Sequence, residues 1–355
     1  MKIGIPKEIK PLEGRVGLVP EACADLVQRG HEVFIETQAG VLSGYDDGAY
    51  SAVGVKILPD ADTLYETAEM ILKVKEPVGP ELDRLQKHHL LFSYLHLAAE
   101  TKLAKKLLDI GLTAVAFETV EVDRQLPLLA PMSDIAGRLS VQIGTHLLHQ
   151  PQGGKGLLLG GLPAAERGHV VVLGAGVAGG NAATVAAALG ARVTVFDRNR
   201  EKLAAMRALG PNVTALYAYE EAMRQAVAEA DLLVGAVLVT GHRAPHLVSR
   251  EMVASMAPGS VVADISVDQG GCIETTRPTT YEDPTYVEEG VVHFAVTNMP
   301  GAAPRSASQA LSAALIPFVR ELAEEGPWES DALRSGVNVQ GGKIEHPAVK
   351  DSLGG

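Results

Sequence analysis

Residues 169–183 read HVVVLGAGVAGGNAA, and no other stretch of the chain restricts its fold as tightly. An apolar strand runs without a spacer into Gly174-Ala-Gly176-Val-Ala-Gly179, and those glycines open a helix of alanine, threonine and valine. The glycines allow a tight turn, close approach of backbone to a pyrophosphate, and close helix–strand packing; the first N–H groups of the helix then face the phosphates. Such a unit continues through a right-handed crossover into a parallel strand. ARVTVFD (191–197) supplies that strand and ends on Asp197. That is near the offset of roughly 20 residues at which an acidic residue binds ribose hydroxyls. A carboxylate there repels the extra phosphate of NADP, so NAD is the expected cofactor, although Arg198 beside it could soften that repulsion.

The rest of the chain extends the same grammar. Before the glycine turn, KIGIP (2–6), HEVFIET (31–37), MILKVKE (70–76), LLFSYLH (90–96) and TAVAFET (113–119) alternate with helical segments such as PEACADLVQRG. After it come DLLVGAVL (231–238), SVVADIS (260–266) and VVHFAVT (291–297). Alternation of this kind predicts an α/β protein with mainly parallel sheets. At 355 residues the chain exceeds one ordinary core. Two long helices read as crossings between the halves. One is MSDIAGRLSVQIGTHLLHQ, with Ile135, Leu139, Ile143 and Leu147 on one face; the other is SASQALSAALIPFVRELAEEG (306–326), with a kink expected at Pro317. The expectation is therefore two Rossmann-like doubly wound domains: a discontinuous substrate domain, 1–127 with 306–355, and an NAD-binding domain, 128–305.

Bulk properties remove several classes of function. A formal charge of −12 disfavours a nucleic-acid footprint or a polybasic membrane contact. The start of the chain has no apolar signal region, and no stretch approaches the length of a membrane helix. Cys23 and Cys272 lie far apart, without metal-ligand spacing, so no metal site is expected and a reducing cytoplasm fits. QPQGGKGLLLGG looks like a phosphate loop but lacks its GK[ST] ending, and reads better as a turn or hairpin.

In an open parallel sheet, ligands bind beyond the carboxyl ends of the strands. Arg15 follows the first strand, and Lys75, His96 and Glu118 end three later ones. Each alone has an ordinary explanation as a surface or core polar group. Together, three cationic or titratable groups on one sheet edge repel one another unless an anion occupies them, and a small carboxylate fits. In the second half, Asp268 and Asn298 follow strands whose ends would lie near the nicotinamide, though an Asp before glycine is often only a turn residue.

Beyond these features, GIPKEIKPLEGRVGLVPE, LKVKEP, LFSYLHLA, APMSDIAGRLSVQIG, VVVLGAGVAGGNAA, GAVLVTGHRAPHLVS, DISVDQGGCIETTRPTT and VTNMPGAAPRSAS, taken in order, resemble the bacterial L-alanine dehydrogenase family. The resemblance implies NAD-dependent oxidative deamination of L-alanine to pyruvate and ammonium, or the reverse, in a cleft that closes on its ligands, and a homohexameric assembly. It implies that Arg15 and Lys75 hold the substrate carboxylate and that His96 and Asp268 are the acid/base residues. As cofactor contacts it implies Ser133, Gly174, Gly176, Val177, Ala178, Gly179, Asp197, Lys202, Val237, Leu238, Ile265, Ser266, Val267, Arg277, Val296, Thr297, Asn298 and Met299. Tyr94, Leu129 and Met132 are candidates for the wall around a methyl side chain. TALYAYEE departs from the serine-bearing segment expected near residues 218–220, which leaves the adenosine contacts there open. The rivals are the nucleotide-binding component of a proton-translocating transhydrogenase, a dehydrogenase of the lysine or saccharopine branch, and a regulatory NAD-binding protein without turnover.

Overall fold

The computed structural model describes residues 1–237 and 245–353, which form two compact units. One comprises Met1–Met132 and the chain from Ala303 onward; the other is Ser133–Ala302. The first boundary falls inside the helix Ala130–Leu147, and the second just before the helix Pro304–Glu324, which is continuous over Pro317.

In chain order the first unit begins with β1 (Lys2–Ile5), β2 (Glu32–Glu36), β3 (Lys56–Leu58), β4 (Met70–Leu72), β5 (Leu90–Ser93) and β6 (Thr113–Ala116). The second holds β7 (His169–Leu173), β8 (Arg192–Asp197), β9 (Val213–Tyr217), β10 (Leu232–Gly235), β11 (Val261–Asp264), β12 (Thr285–Glu288) and β13 (Val291–Phe294). The chain then returns to the first unit with β14 (Val337–Gln340) and β15 (Lys343–Ile344). Among the described residues the first sheet runs β15-β14-β6-β5-β4-β1-β2-β3 and the second β12-β13-β11-β10-β7-β8-β9. Both are parallel through the middle, with antiparallel strands added at one edge.

Both faces of the second sheet are covered. Val170 and Val172 of β7 enter one buried cluster with Ala182, Ala186 and Leu232, while Val171 and Leu173 enter another with Phe196, Leu233 and Val262. A strand buried on both faces reads as a continuous apolar run, which is why HVVVL was legible. Each such side chain contributes about 1.5–3 kcal/mol of burial. The first sheet follows the same rule around Ile71, Leu91 and Ala114, which pack with Leu64, Leu103 and Leu107 of its helices. At Gly4 in β1, an added Cβ would come within 2.7 Å of Ala68 Cβ, so the glycine lets strand and helix approach.

The sheet orders matter for function. From β1 the chain moves outward to β2 and β3, then returns to place β4 on the other side of β1. From β7 it does the same, with β10 on the opposite side from β8. Each unit thus has a point where successive loops diverge, the place where doubly wound sheets bind ligands.

Candidate functional site

In the first unit, the loop after β1 and the loop after β4 flank that switch point, and both are rich in charge. Arg15 is buried, its side chain only 2% exposed. Its Nε donates to Glu13 Oε1 at 2.6 Å and its Nη2 to Glu13 Oε2 at 2.5 Å, a two-pronged pairing of the kind guanidinium geometry favours. Nη1 lies 3.1 Å from Met132 Sδ. Burial alone would raise the Glu13 carboxyl, but the bonds from Arg15 and its charge outweigh it and hold Glu13 below the usual range.

Lys73 and Lys75 are two residues apart in LKVKEP and have opposite fates. Lys73 is fully buried between Glu8 Oε2 at 3.2 Å and Glu81 Oε1 at 3.1 Å, and it donates to the Lys75 carbonyl at 3.0 Å. Glu8 also accepts the Val74 N–H at 2.6 Å. β4 ends at Leu72, earlier than the apolar run MILKVKE suggested, although Lys73 N–H still donates to the Phe92 carbonyl at 3.2 Å and the Val74 carbonyl accepts the Tyr94 N–H at 3.1 Å. Lys75 is half-buried. Burial, reinforced by the charge of Arg15, pulls its ammonium below the usual lysine range.

β5 likewise stops at Ser93, three residues short of the expected end at His96. The Glu118 carboxylate explains why. It accepts the His96 N–H at 2.6 Å and the Leu95 N–H at 3.2–3.3 Å, replacing ladder bonds with a carboxylate that turns the chain. His96 is left exposed with φ +50°, a left-handed conformation that costs a non-glycine residue energy and marks functional positions. Its ring stacks parallel to Tyr94, centroids 5.9 Å apart, and its Nδ1 lies 3.9 Å from Glu118 Oε1. Tyr94 is itself anchored by its hydroxyl, which donates to the Leu128 carbonyl at 2.6 Å. Of the expected apolar wall, Tyr94 therefore stands beside His96 and Met132 beside Arg15, while Leu129 is half-buried.

One expectation is corrected. The cations of this edge are not an unbalanced cluster that only a bound anion could offset: Glu13 pairs with Arg15, Glu8 and Glu81 with Lys73, and Glu76 with Lys10. What repulsion remains falls on Lys75. Glu8, Glu13 and Glu81 went unnoticed in the sequence as site-shaping residues; the only local signal was a glutamate two positions before Arg15.

The second unit is organised by backbone. Gly174 has φ +96°, a value that favours glycine, and a Cβ there would meet the Ala236 carbonyl oxygen in the turn after β10. A Cβ on Gly179 would run into the Gly174 carbonyl, whereas one on Gly176 meets nothing within 4 Å. Gly176 also caps the helix Val177–Ala188 without any side-chain hydrogen bond to its first N–H groups. These residues fit a dinucleotide: backbone donors at a helix start, with no side chain between them and a phosphate. Asp197 ends β8 half-buried, its Oδ2 accepting the Ala175 N–H at 2.7 Å and its Oδ1 the Asn199 N–H at 2.7 Å. Each oxygen retains a lone pair for a hydroxyl.

The other expected contacts distribute around this turn and the ends of β11 and β13. Val177 is exposed and Ala178 half-buried at the helix start, and Ser133 is half-buried in the helix Ala130–Leu147. That helix approaches Val177–Ala188 so closely that a Cβ on Gly137 would strike the Ala178 carbonyl. Val237 N–H bonds Ser266 Oγ at 3.0 Å, joining the turns after β10 and β11. Ile265, Ser266, Val267 and Asp268 lie in one short 3-10 turn, with Asp268 exposed. Asp264, buried and missed by the sequence reading, ties that turn down by accepting Ser266 N–H, Cys272 N–H and the Thr276 hydroxyl. Val296 and Met299 are buried, Thr297 is half-buried, and Asn298 has φ +62°. Lys202 is exposed on the helix Arg200–Arg207, whose start is capped by Asn199. Arg277 lies over the Tyr286 ring, 4.0 Å from its centroid. Leu238 falls outside the described residues. Among the described residues no group of three His, Cys, Asp or Glu could hold a metal ion, and no helix is long and apolar enough to cross a membrane.

Comparison with known proteins covers the whole chain. Residues 4–136 match the family profile described as "Alanine dehydrogenase/PNT, N-terminal domain", and residues 140–347 match "Alanine dehydrogenase/PNT, C-terminal domain". An alanine dehydrogenase of Halomonas elongata is 47% identical over 362 residues, covering 100% of this chain and 97% of that protein. A solved structure titled L-alanine dehydrogenase superposes with a TM-score of 0.96 at 51% identity, over 99% of both chains. A transhydrogenase from Sinorhizobium meliloti gives a TM-score of 0.86 at 26% identity, covering 98% of this chain and 100% of its own.

Proposed function

The chain belongs to the alanine dehydrogenase/PNT family, and on that premise we propose that it is an alanine dehydrogenase. It catalyses the reversible oxidative deamination of L-alanine to pyruvate and ammonium with NAD. The observation that carries the reading is likeness over the full length of both chains at 51% identity, against 26% for the transhydrogenase. The preference for NAD over NADP rests on the Asp197 carboxylate at the end of β8.

Arg15 and Lys75 bind the substrate carboxylate beyond the switch point of the first sheet. Glu13 keeps the guanidinium in one orientation, and orientation of a reactant is worth several kcal/mol of barrier. The bound NAD supplies the acceptor for the hydride that leaves the alanine α-carbon. His96, held by Glu118, takes a proton as water adds to the imine carbon and returns one to the departing ammonia. Asp268 serves as the second titratable group and Lys75 polarises the carbonyl in the reverse direction. Gly174, Gly176 and Gly179 leave the helix N–H groups open to the pyrophosphate, and the remaining expected contacts line the nucleotide. The assembly is a homohexamer working in the cytoplasm, as the resemblance implies; light scattering on the purified protein measures its mass.

The test is the consumption of NADH on mixing the protein with pyruvate and ammonium. Exchange of hydride between two nucleotides in the presence of a partner subunit, without pyruvate turnover, sinks the reading in favour of the transhydrogenase component.

A further inference from the structure

β11 ends on Asp264, whose side chain has no exposed surface. Its Oδ1 accepts the Ser266 N–H at 2.9 Å, and its Oδ2 accepts the Cys272 N–H at 3.0 Å and the Thr276 hydroxyl at 2.8 Å. The Cys272 thiol, which burial keeps protonated, lies 3.7 Å from Oδ1. Burial pushes the Asp264 carboxyl up, hydrogen bonds from Thr276, Ser266, Cys272 and Ile273 oppose it, and no cation ranks among these influences. A buried charge served only by neutral donors is costly, and a need for packing alone would be met by an apolar residue. The chain also clears space for it. Gly235 is its register partner on β10, and a Cβ there would fall 2.8 Å from Oδ1. Gly271, at φ +76°, does the same for Oδ2, which its Cβ would approach to 3.0 Å.

Accepting the dinucleotide reading of the glycine turn, we propose that Asp264 is a buried countercharge to the nicotinamide ring, favouring the oxidised cofactor over the reduced one. On that reading the pyrophosphate lies at the turn after β7 and the adenosine ribose at Asp197, after β8. The nicotinamide half then extends the other way, over the ends of β10 and β11. Val237 and Ser266 join the two turns there, and Asp264 holds the Ser266 N–H. The oxidised ring carries a positive charge and the reduced ring none, so a fixed negative charge stabilises the first selectively. Across two strand spacings, about 10 Å, at an effective dielectric of about 20, that preference amounts to about tenfold. Asp268 is exposed, so water and salt screen its charge as they cannot screen that of Asp264. NADH held more weakly than NAD leaves the site sooner in the direction of deamination.

The experiment measures the dissociation constants of NAD and of NADH by calorimetry, on the full chain and on two variants. Asp264→Asn keeps the shape and removes the charge, and is expected to weaken NAD about tenfold relative to NADH. Thr276→Val removes one donor and leaves the charge, and is expected to keep the parent's ratio of the two constants whatever it does to each. If Asp264→Asn shifts both constants by the same factor, or neither, the proposal is overturned and Asp264 is only an anchor for its turn. A ratio that moves as far in Thr276→Val overturns it as well. Where Asp264→Asn does not fold, the unaltered protein decides. Pyrophosphate contacts cancel in the ratio, so a ratio set by a buried charge holds from about 0.05 M to about 1 M salt. One that collapses with salt belongs to an exposed charge and overturns the proposal. A parent protein that binds neither cofactor overturns the nucleotide reading beneath it instead.

Discussion

The two units share the order of their six parallel strands, β6-β5-β4-β1-β2-β3 and β13-β11-β10-β7-β8-β9, and set different groups at their switch points. In the first, residues 6–19 separate β1 from the helix Pro20–Gln28; in the second, only 174–176 separate β7 from Val177–Ala188. The long loop brings Glu8, Glu13 and Arg15 to the switch point, so that site is made of side chains in buried ion pairs. The short one leaves a helix N-terminus against the strand end, so that site is made of backbone amides and absent side chains. The topology thus determines where the switch points fall, while the length and charge of one loop determine which groups stand there.

The contrast can be broken most severely at Lys73. Lys73→Met should cost about 3–5 kcal/mol in urea unfolding, because Glu8 and Glu81 are left buried without their cation. A loss under about 1 kcal/mol would show that the triad does not organise the first site. Next, His96→Ala should lower turnover by about 10²- to 10⁴-fold while NADH affinity stays as it was. Loss of NADH binding instead would assign the histidine to structure. The second unit answers to a different change: Gly179→Ala should weaken NADH about tenfold or more, since its Cβ would meet the Gly174 carbonyl. Unaltered affinity by fluorescence titration would mean that the turn has room to spare.

The smallest effect concerns Arg15→Lys, which keeps the charge and loses the fork. Glu13 is depressed in the folded state, so its contribution to stability is complete above the ordinary glutamate range, around pH 4.3, and is lost as pH falls through the depressed value. The variant depresses Glu13 less. It should therefore be modestly less stable at neutral pH, with the difference closing in acid as the carboxyl protonates in both proteins. A difference independent of pH would place the effect elsewhere than in the pair.

How much of this could be read without coordinates follows burial. The central strands are apolar runs because both of their faces are covered, and KIGIP, HVVVL and SVVADIS announced them. β3, β9, β12, β14 and β15 were passed over; they lie at or next to the sheet edges, are short, and most are half-exposed, so no apolar run marks them. Among the candidate site residues, Lys75 and His96 stand out because charge at the end of an apolar strand is conspicuous, and Arg15 because it lies in the loop after the first strand. Lys73 does not. In LKVKEP nothing local distinguishes the lysine locked between two glutamates from the one presented at the edge, because its partners sit 65 residues upstream and 8 downstream.

The sequence by itself determined the doubly wound fold, the glycine turn with Asp197, and the family to which the chain belongs, because each depends on residues close together in the chain. Only the tertiary structure decided which charges cancel, where β4 and β5 stop, and that His96 and Asn298 take left-handed backbones. Electrostatic balance in a buried place depends on distance through space, and a linear string of residues does not carry that distance.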